Sequence, residues 1–190
     1  MFQSTQFATM IPLMREGRLD VIDSFMYYTP ERAAQVMMVP YGAGTLAMVV
    51  PKTNTDTITG PEYFSGKKLS VELGTVDLAV ATRTNEALTK AGKPLIDIHT
   101  FSTYADVLQS LAADQTDGAF IGTEQAVYYR KKGVDFFRIA FGGYEPHAEA
   151  LAFKDPEIAD AVVKVVNEMK ADGSFDKIFT PYGHCTLRAR

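Results

Sequence analysis

The stretch YTPERAAQV places Arg32 two residues after Pro30 and three after Thr29. Thr29 suits a helix N-cap, Pro30 the first helical position and Glu31 the first turn. A guanidinium in that first turn opposes the helix dipole, so Arg32 needs another partner. It is either a solvated surface charge or it faces a ligand, and its planar donors match a carboxylate. Gly74-Thr75 is a second such place. A strand ends there, glycine permits a tight turn, and the N–H groups of a starting helix favour an anion. The plainer reading of the same residues is a βα turn with Thr75 as N-cap.

Covalent and metal chemistry find little support. His99, His147 and His184 are scattered, and no H-E-x-x-H, C-x-x-C or G-x-S-x-G run occurs. Cys185 is the sole cysteine, so no internal disulfide can form. Together with His184 it lacks metal-ligand spacing. Glu124 and Glu145 are the candidates for a general acid. Lys52, Lys67 and Lys68 read as solvated charges. The expectation is a binding protein, not an enzyme, with no cofactor.

Composition narrows the partners. The 190 residues are 46% hydrophobic and 22% charged, which are globular values. They suffice for one large domain or two small lobes. The net charge of −4 and the lack of a basic stripe exclude nucleic acid. The longest apolar run, TLAMVV, is far too short to span a bilayer. The opening MFQSTQFATMIPLM has no basic n-region, continuous apolar stretch or cleavage site, so it does not read as a secretory signal.

The elements that must position these residues alternate between strand and helix. A helix is predicted over 4–17, from the spacing of Phe7, Met10, Ile11 and Met14, with Gly17 ending it. A short buried strand over RLDVIDSFMYY leads into a loop. A capped helix follows from Pro30 to about Val36, then a strand over 44–52 and a polar connector over 53–66. Strands KKLSVEL, LIDIHTF and TDGAFIG alternate with helices over 76–90, TYADVLQSLAA and EQAVYYRKKG. Two further strands are predicted, VDFFRIAF and HAEALAF, before helices over PEIADAVVKVVNEMKADG and SFDKIFTPYG. Such alternation argues α/β units with mostly parallel sheets. An internal echo links MREGRLDVI to LAADQTDGAFI. In each, three residues lead from an apolar position to Gly17 or Asp114, and three more to Asp20 or Asp117.

Five stretches stand in a telling order: IPLMREGRLDVI, YTPERAAQVMMVPY, FSGKKLSVELGT, YADVLQSLAADQTDGAFIG and MKADGSFDKIFTPYG. They resemble successive motifs of the type II solute-binding proteins of ABC importers, in the branch for polar amino acids (family 3). These are its Leu-x-x-Gly-x-x-Asp segment, its Thr-x-x-Arg helix, its Leu-x-Gly-Lys-x-Val strand with Gly-Thr turn, its second-lobe helix and strand, and its C-terminal helix. The Phe-Ser-x-Pro-Tyr element is reduced here to Met37-Met38-Val39-Pro40-Tyr41.

The resemblance implies a two-lobed α/β fold of the periplasmic-binding-protein type II, each lobe a mostly parallel sheet flanked by helices. Residues 1–48 and 146–190 would form lobe 1 and 49–145 lobe 2, with crossovers near 46–52 and 142–150. The family's leading strand–helix–strand unit, roughly 30 or more residues, is not in this sequence. Lobe 1 is therefore expected to be incomplete, with an unpaired edge. The implied function is an extracytoplasmic or periplasmic receptor that delivers a small carboxylate-bearing ligand to the importer's membrane subunits. The ligand would be an amino acid, a betaine or a cyclic imino acid. A dehydratase-like enzyme and a ligand-sensing domain are the alternatives on the same fold.

The resemblance also assigns residues. Arg32 would be the carboxylate clamp of lobe 1, and Gly74 and Thr75 the anion contact of lobe 2. Ligand held by both halves would favour the closed state. Ser24, Phe25 and Tyr27 would line a loop between strand and helix. An aromatic there can hold a cationic amine, worth about 0.5–2 kcal/mol. Many amino-acid binders carry an aspartate five residues after the position of Asp117, and here it is Gly122. Glu124 either substitutes for it or is a solvated N-terminal helix acid. Without that carboxylate a primary ammonium lacks its usual partner, which favours an N-alkylated, cyclic or non-amino-acid carboxylate.

Overall fold

A computed structural model describes residues 3–182 and 185–186. The chain divides into two compact units, one of residues 1–44 with 146–190 and one of residues 45–145.

The first unit opens with a 3-10 turn, Phe7–Thr9, that runs into helix α1, Met10–Arg15. Helix is therefore shorter than the predicted 4–17, because residues 4–6 stay non-helical. Gly17 ends it at φ +78. The Gly17 N–H donates to the Met14 carbonyl (3.0 Å) and the Arg18 N–H to the Leu13 carbonyl (2.9 Å), so the last turn's orphan carbonyls are satisfied by a left-handed cap. Met14 packs with Ile22, Met26 and Ala152, and Phe7, Met10 and Ile11 cover that cluster.

The echo noted in the sequence is this same cap made twice. Asp114 sits at φ +53, its N–H donates to the Leu111 carbonyl (3.2 Å) and the Gln115 N–H to the Ser110 carbonyl (2.9 Å). Only glycine adopts that conformation without cost, so Gly17→Ala is expected to destabilise the first unit by about 1–2 kcal/mol. Urea denaturation measures it.

Strand β1 is Val21–Tyr27, and helix α2, Pro30–Ala33, follows with Thr29 capping it. Strand β2 runs Met37–Pro51, starting well before the predicted 44. Strand β6, Phe137–Phe153, joins the two strands predicted over 134–141 and 147–153. Gly143 at φ +76 and Glu145 at φ +41 bend it without ending it, as isolated left-handed residues do in bulged strands. β1 pairs antiparallel with β6, Tyr27 opposite Glu149, and the register breaks between Ile22 and Met26. Phe25 lies in that break at φ +51. Helix α6, Pro156–Asp172, starts from an Asp155 cap and ends at Gly173, φ +76, before helix α7, Ser174–Phe179. Tyr41, Val166 and Phe175 form the core they cover. Residues Cys185–Thr186 pair antiparallel with Gly42 and Ala43 of β2.

The second unit holds strands β3 (Lys68–Glu72), β4 (Asp97–Phe101) and β5 (Gly118–Gly122). Helices α3 (Val76–Lys90) and α4 (Tyr104–Ala112) join them, and α5 (Thr123–Lys131) follows. β3 pairs parallel with both β4 and β5, as helical crossovers allow. β5 also pairs antiparallel with the 46–49 part of β2. The described parallel pairs thus belong to this unit. In the first unit the described ladders, β1 with β6 and Gly42–Ala43 with Cys185–Thr186, are antiparallel.

The connector over 53–66 is less loose than its composition suggests. Pro61–Phe64 form a 3-10 turn, and Ile58 and Phe64 are buried. The Phe64 ring fills the space where a Cβ on Gly118 would sit. Gly118→Ala is expected to cost about 2–3 kcal/mol by overpacking, with Phe64→Leu relieving part of that loss in the double variant. Chemical denaturation of the three variants checks it.

Candidate functional site

In the first unit the structure brings Arg32 and Tyr27 into contact. One Arg32 Nη1 N–H donates to the Tyr27 carbonyl at 2.6 Å, a short charge-assisted bond. The Arg32 Cζ lies 5.2 Å from the centroid of the Phe7 ring. The backbone N–H of Arg32 donates to the Thr29 hydroxyl at 3.3 Å. Because α2 is a single turn, Arg32 also belongs to its last turn, where a cation is favoured, so the expected conflict with the helix dipole does not arise. Tyr27 is 7% exposed, and its ring stacks on His147 with centroids 5.1 Å apart and planes 23° apart.

Two positions differ from the expected loop. Ser24 and Tyr27 lie within strand β1, since pairing with β6 extends the strand to its last residue. The Ser24 hydroxyl oxygen is buried and makes no hydrogen bond with the described residues. Phe25 is 40% exposed, turned outward by the break in register. Phe7 and His147 were not singled out as site residues by the sequence reading. Phe7 is one member of an apolar helix stripe, and His147 meets Tyr27 only through the pairing of distant strands.

In the second unit Gly74 adopts φ +81 and Thr75 caps α3. The Thr75 hydroxyl accepts from the Leu78 N–H (3.4 Å) and donates to the Glu72 carbonyl (2.7 Å), so it serves the turn itself. The surroundings are acidic. Asp77 is buried in the first turn of α3, where the helix dipole favours it, and accepts a hydrogen bond from the Tyr104 hydroxyl at 2.6 Å. Burial, with Asp77 and Asp106 nearby, pushes the Glu72 carboxyl up to about 8.

Glu124 is not a solvated helix acid. It is 2% exposed, and its Oε1 accepts from the Thr45 N–H at 3.2 Å, while the hydroxyls of Thr45 and Thr123 lie 2.8 Å apart. It ties the start of α5 to β2. At Gly122 a Cβ would overlap the amide oxygen of Gln125 and lie 3.2 Å from Glu124 Oε2, so an amide and a carboxylate both stand beside that position. Glu145 forms an ion pair with Arg83, whose guanidinium it holds above its ordinary value. His99 lies 3.1 Å from Asp97 Oδ2. His184 falls outside the described residues. Lys52 pairs with Asp135 and holds that carboxyl below its usual range. Among the described residues no helix is long and apolar enough to cross a membrane.

Two α/β units, with strands β2 and β6 each running from one into the other, make the type II periplasmic-binding-protein architecture. A solved ancestral arginine-binding protein bound to arginine superposes with a TM-score of 0.82 at 27% identity, covering 96% of this chain and 79% of that one. The chain belongs to the bacterial extracellular solute-binding proteins, family 3, which match residues 1–184. Two relatives are the arginine-binding extracellular protein ArtP of Bacillus subtilis and a probable histidine-binding protein of Campylobacter jejuni. The first is 28% identical over 93% of this chain and 68% of its own length. The second is 26% identical over 94% and 67%.

Proposed function

We propose that this chain is an extracytoplasmic amino-acid receptor of an ABC importer. It binds the ligand unchanged and hands it to the importer's membrane subunits. The observation that supports this most is Arg32, whose guanidinium plane is set by the Tyr27 carbonyl and the Phe7 ring. A planar donor fork held in a fixed orientation suits the carboxylate common to all amino acids. Each unit, taken by itself, carries candidate contacts. The first offers Arg32, Tyr27, Ser24 and Phe25, and the second offers the Gly74-Thr75 turn. Glu124 and Glu145, the candidate general acids, are engaged with Thr45 and Arg83, which disfavours the dehydratase alternative.

The relatives named for arginine and histidine make those two the first ligands to try. Glycine at 122, where many amino-acid binders carry an aspartate, makes proline and glycine betaine the second pair, because these need no carboxylate for a primary ammonium. A thermal-shift panel with all four, followed by calorimetric titration, tests the proposal. A ligand at 100 times its Kd should add about 2.7 kcal/mol of stability and be recovered intact. No shift with any carboxylate ligand sinks the receptor reading.

A further inference from the structure

We infer that His147 is a positioning residue for the binding site, acting on Arg32 through Tyr27; this rests on the receptor reading above. The contacts form a chain within the first unit. Tyr27 pairs with Glu149 across the β1–β6 ladder. His147 is the diagonal neighbour on the same face, a spacing that aromatic side chains can bridge. The two rings do so, 5.1 Å apart and nearly parallel, in a stacked geometry. The backbone is pinned at the same place, since the Tyr28 N–H donates to the Ala148 carbonyl at 2.7 Å. Ring and backbone of Tyr27 are thus both referred to β6, and the Tyr27 carbonyl accepts the Arg32 Nη1 N–H at 2.6 Å.

The consequence is a division of labour. Arg32 stands on α2, a helix of four residues, too short to hold a long side chain in place by itself. Its guanidinium is oriented from the carbonyl side by Tyr27 and from the face by Phe7. Tyr27 follows a break in strand register, with Phe25 in a left-handed conformation just before it. The ladder resumes at Met26 and Tyr27, and the His147 stack adds to it a fixed orientation of the Tyr27 ring. His147 therefore sets how well Arg32 is prepared for a carboxylate, without touching the carboxylate itself.

The test is a double-mutant cycle on the full chain, with arginine, histidine, proline and glycine betaine as probes, read by calorimetry and, for weak binding, by NMR titration. His147→Ala is expected to weaken carboxylate binding about threefold to tenfold, the worth of one stacked aromatic pair. His147→Phe, which keeps the stack, should bind within about twofold of wild type. In an Arg32→Ala background the His147→Ala loss should vanish, because the two residues act in series. An undiminished His147→Ala loss in that background overturns the inference, as does a His147→Phe variant as weak as His147→Ala. Should His147→Ala fail to fold, His147→Phe against His147→Leu decides, since both fill the volume but only Phe stacks. If wild type binds none of the probes, the receptor reading falls and takes this inference with it. If wild type binds and Arg32→Ala loses affinity while His147→Ala does not, this inference alone falls.

Discussion

Replacing Arg32 with alanine is expected to weaken amino-acid binding by about 30- to 1,000-fold, equivalent to about 2–4 kcal/mol. The size follows from what the substitution leaves behind. A ligand carboxylate seated in a desolvated site loses its bidentate donor and keeps its charge, and an unpaired buried charge is the expensive outcome. Arg32→Lys should fall between the two, since an ammonium supplies charge but neither the planar fork nor a flat face for the Phe7 ring. Stability should change far less. The Tyr27 carbonyl loses one hydrogen bond, worth about 1 kcal/mol. Calorimetric titration beside a thermal melt separates the two effects. Unaltered affinity in Arg32→Ala would remove Arg32 from the site.

The second large effect concerns pH. Glu72 is 6% exposed, and its carboxyl is pushed from an ordinary 4.5 to about 8 by burial first, then by Asp77 and Asp106. The folded state therefore holds a proton that the unfolded chain releases. Below about pH 4.5 both states are protonated and the stability is fully present. As pH rises from there through 8 the unfolded state gains ground, and the stability is lost. Glu72→Gln mimics the protonated carboxyl and cannot ionise. It should be more stable than wild type by roughly 2–4 kcal/mol at pH 8 and nearly equal to it at pH 4. Denaturation curves of both proteins across that range give the difference directly. Parallel curves at all pH values would show that Glu72 ionises normally in the fold.

Local signals were the most legible part of the sequence. Thr29, Pro30 and Glu31 announced α2, and Thr75 marked the start of α3 at Val76. The repeated spacing around Gly17 and Asp114 reported a shared cap because both rest on backbone bonds within one turn. What pairing between distant strands decides was hidden. The continuity of β6 through Gly142 and Gly143 could not be read, since glycines in a row signal a break when the partner strand is unseen. The same limit applies to the site. Arg32 could be picked out by its expected conflict with the helix dipole. His147 could not, because it reaches Tyr27 through the β1–β6 register, and Glu124 stayed open between a ligand contact and a solvated helix acid until Thr45 was placed beside it.

The connector over 53–66 carries a consequence for how the second unit opens. Arg138 donates to the Asn54 and Asp56 carbonyls, each at 2.6 Å, and Phe64 plugs the space above Gly118. The first anchor reaches strand β6 and the second strand β5. This polar, turn-rich stretch cannot peel away alone without uncovering β5 and releasing β6. Its amide hydrogens from Phe64 to Lys68 should exchange with solvent only when the whole unit opens. Trypsin acting at Lys67 and Lys68 would then cut at a rate that reports global unfolding, not fraying of a loop.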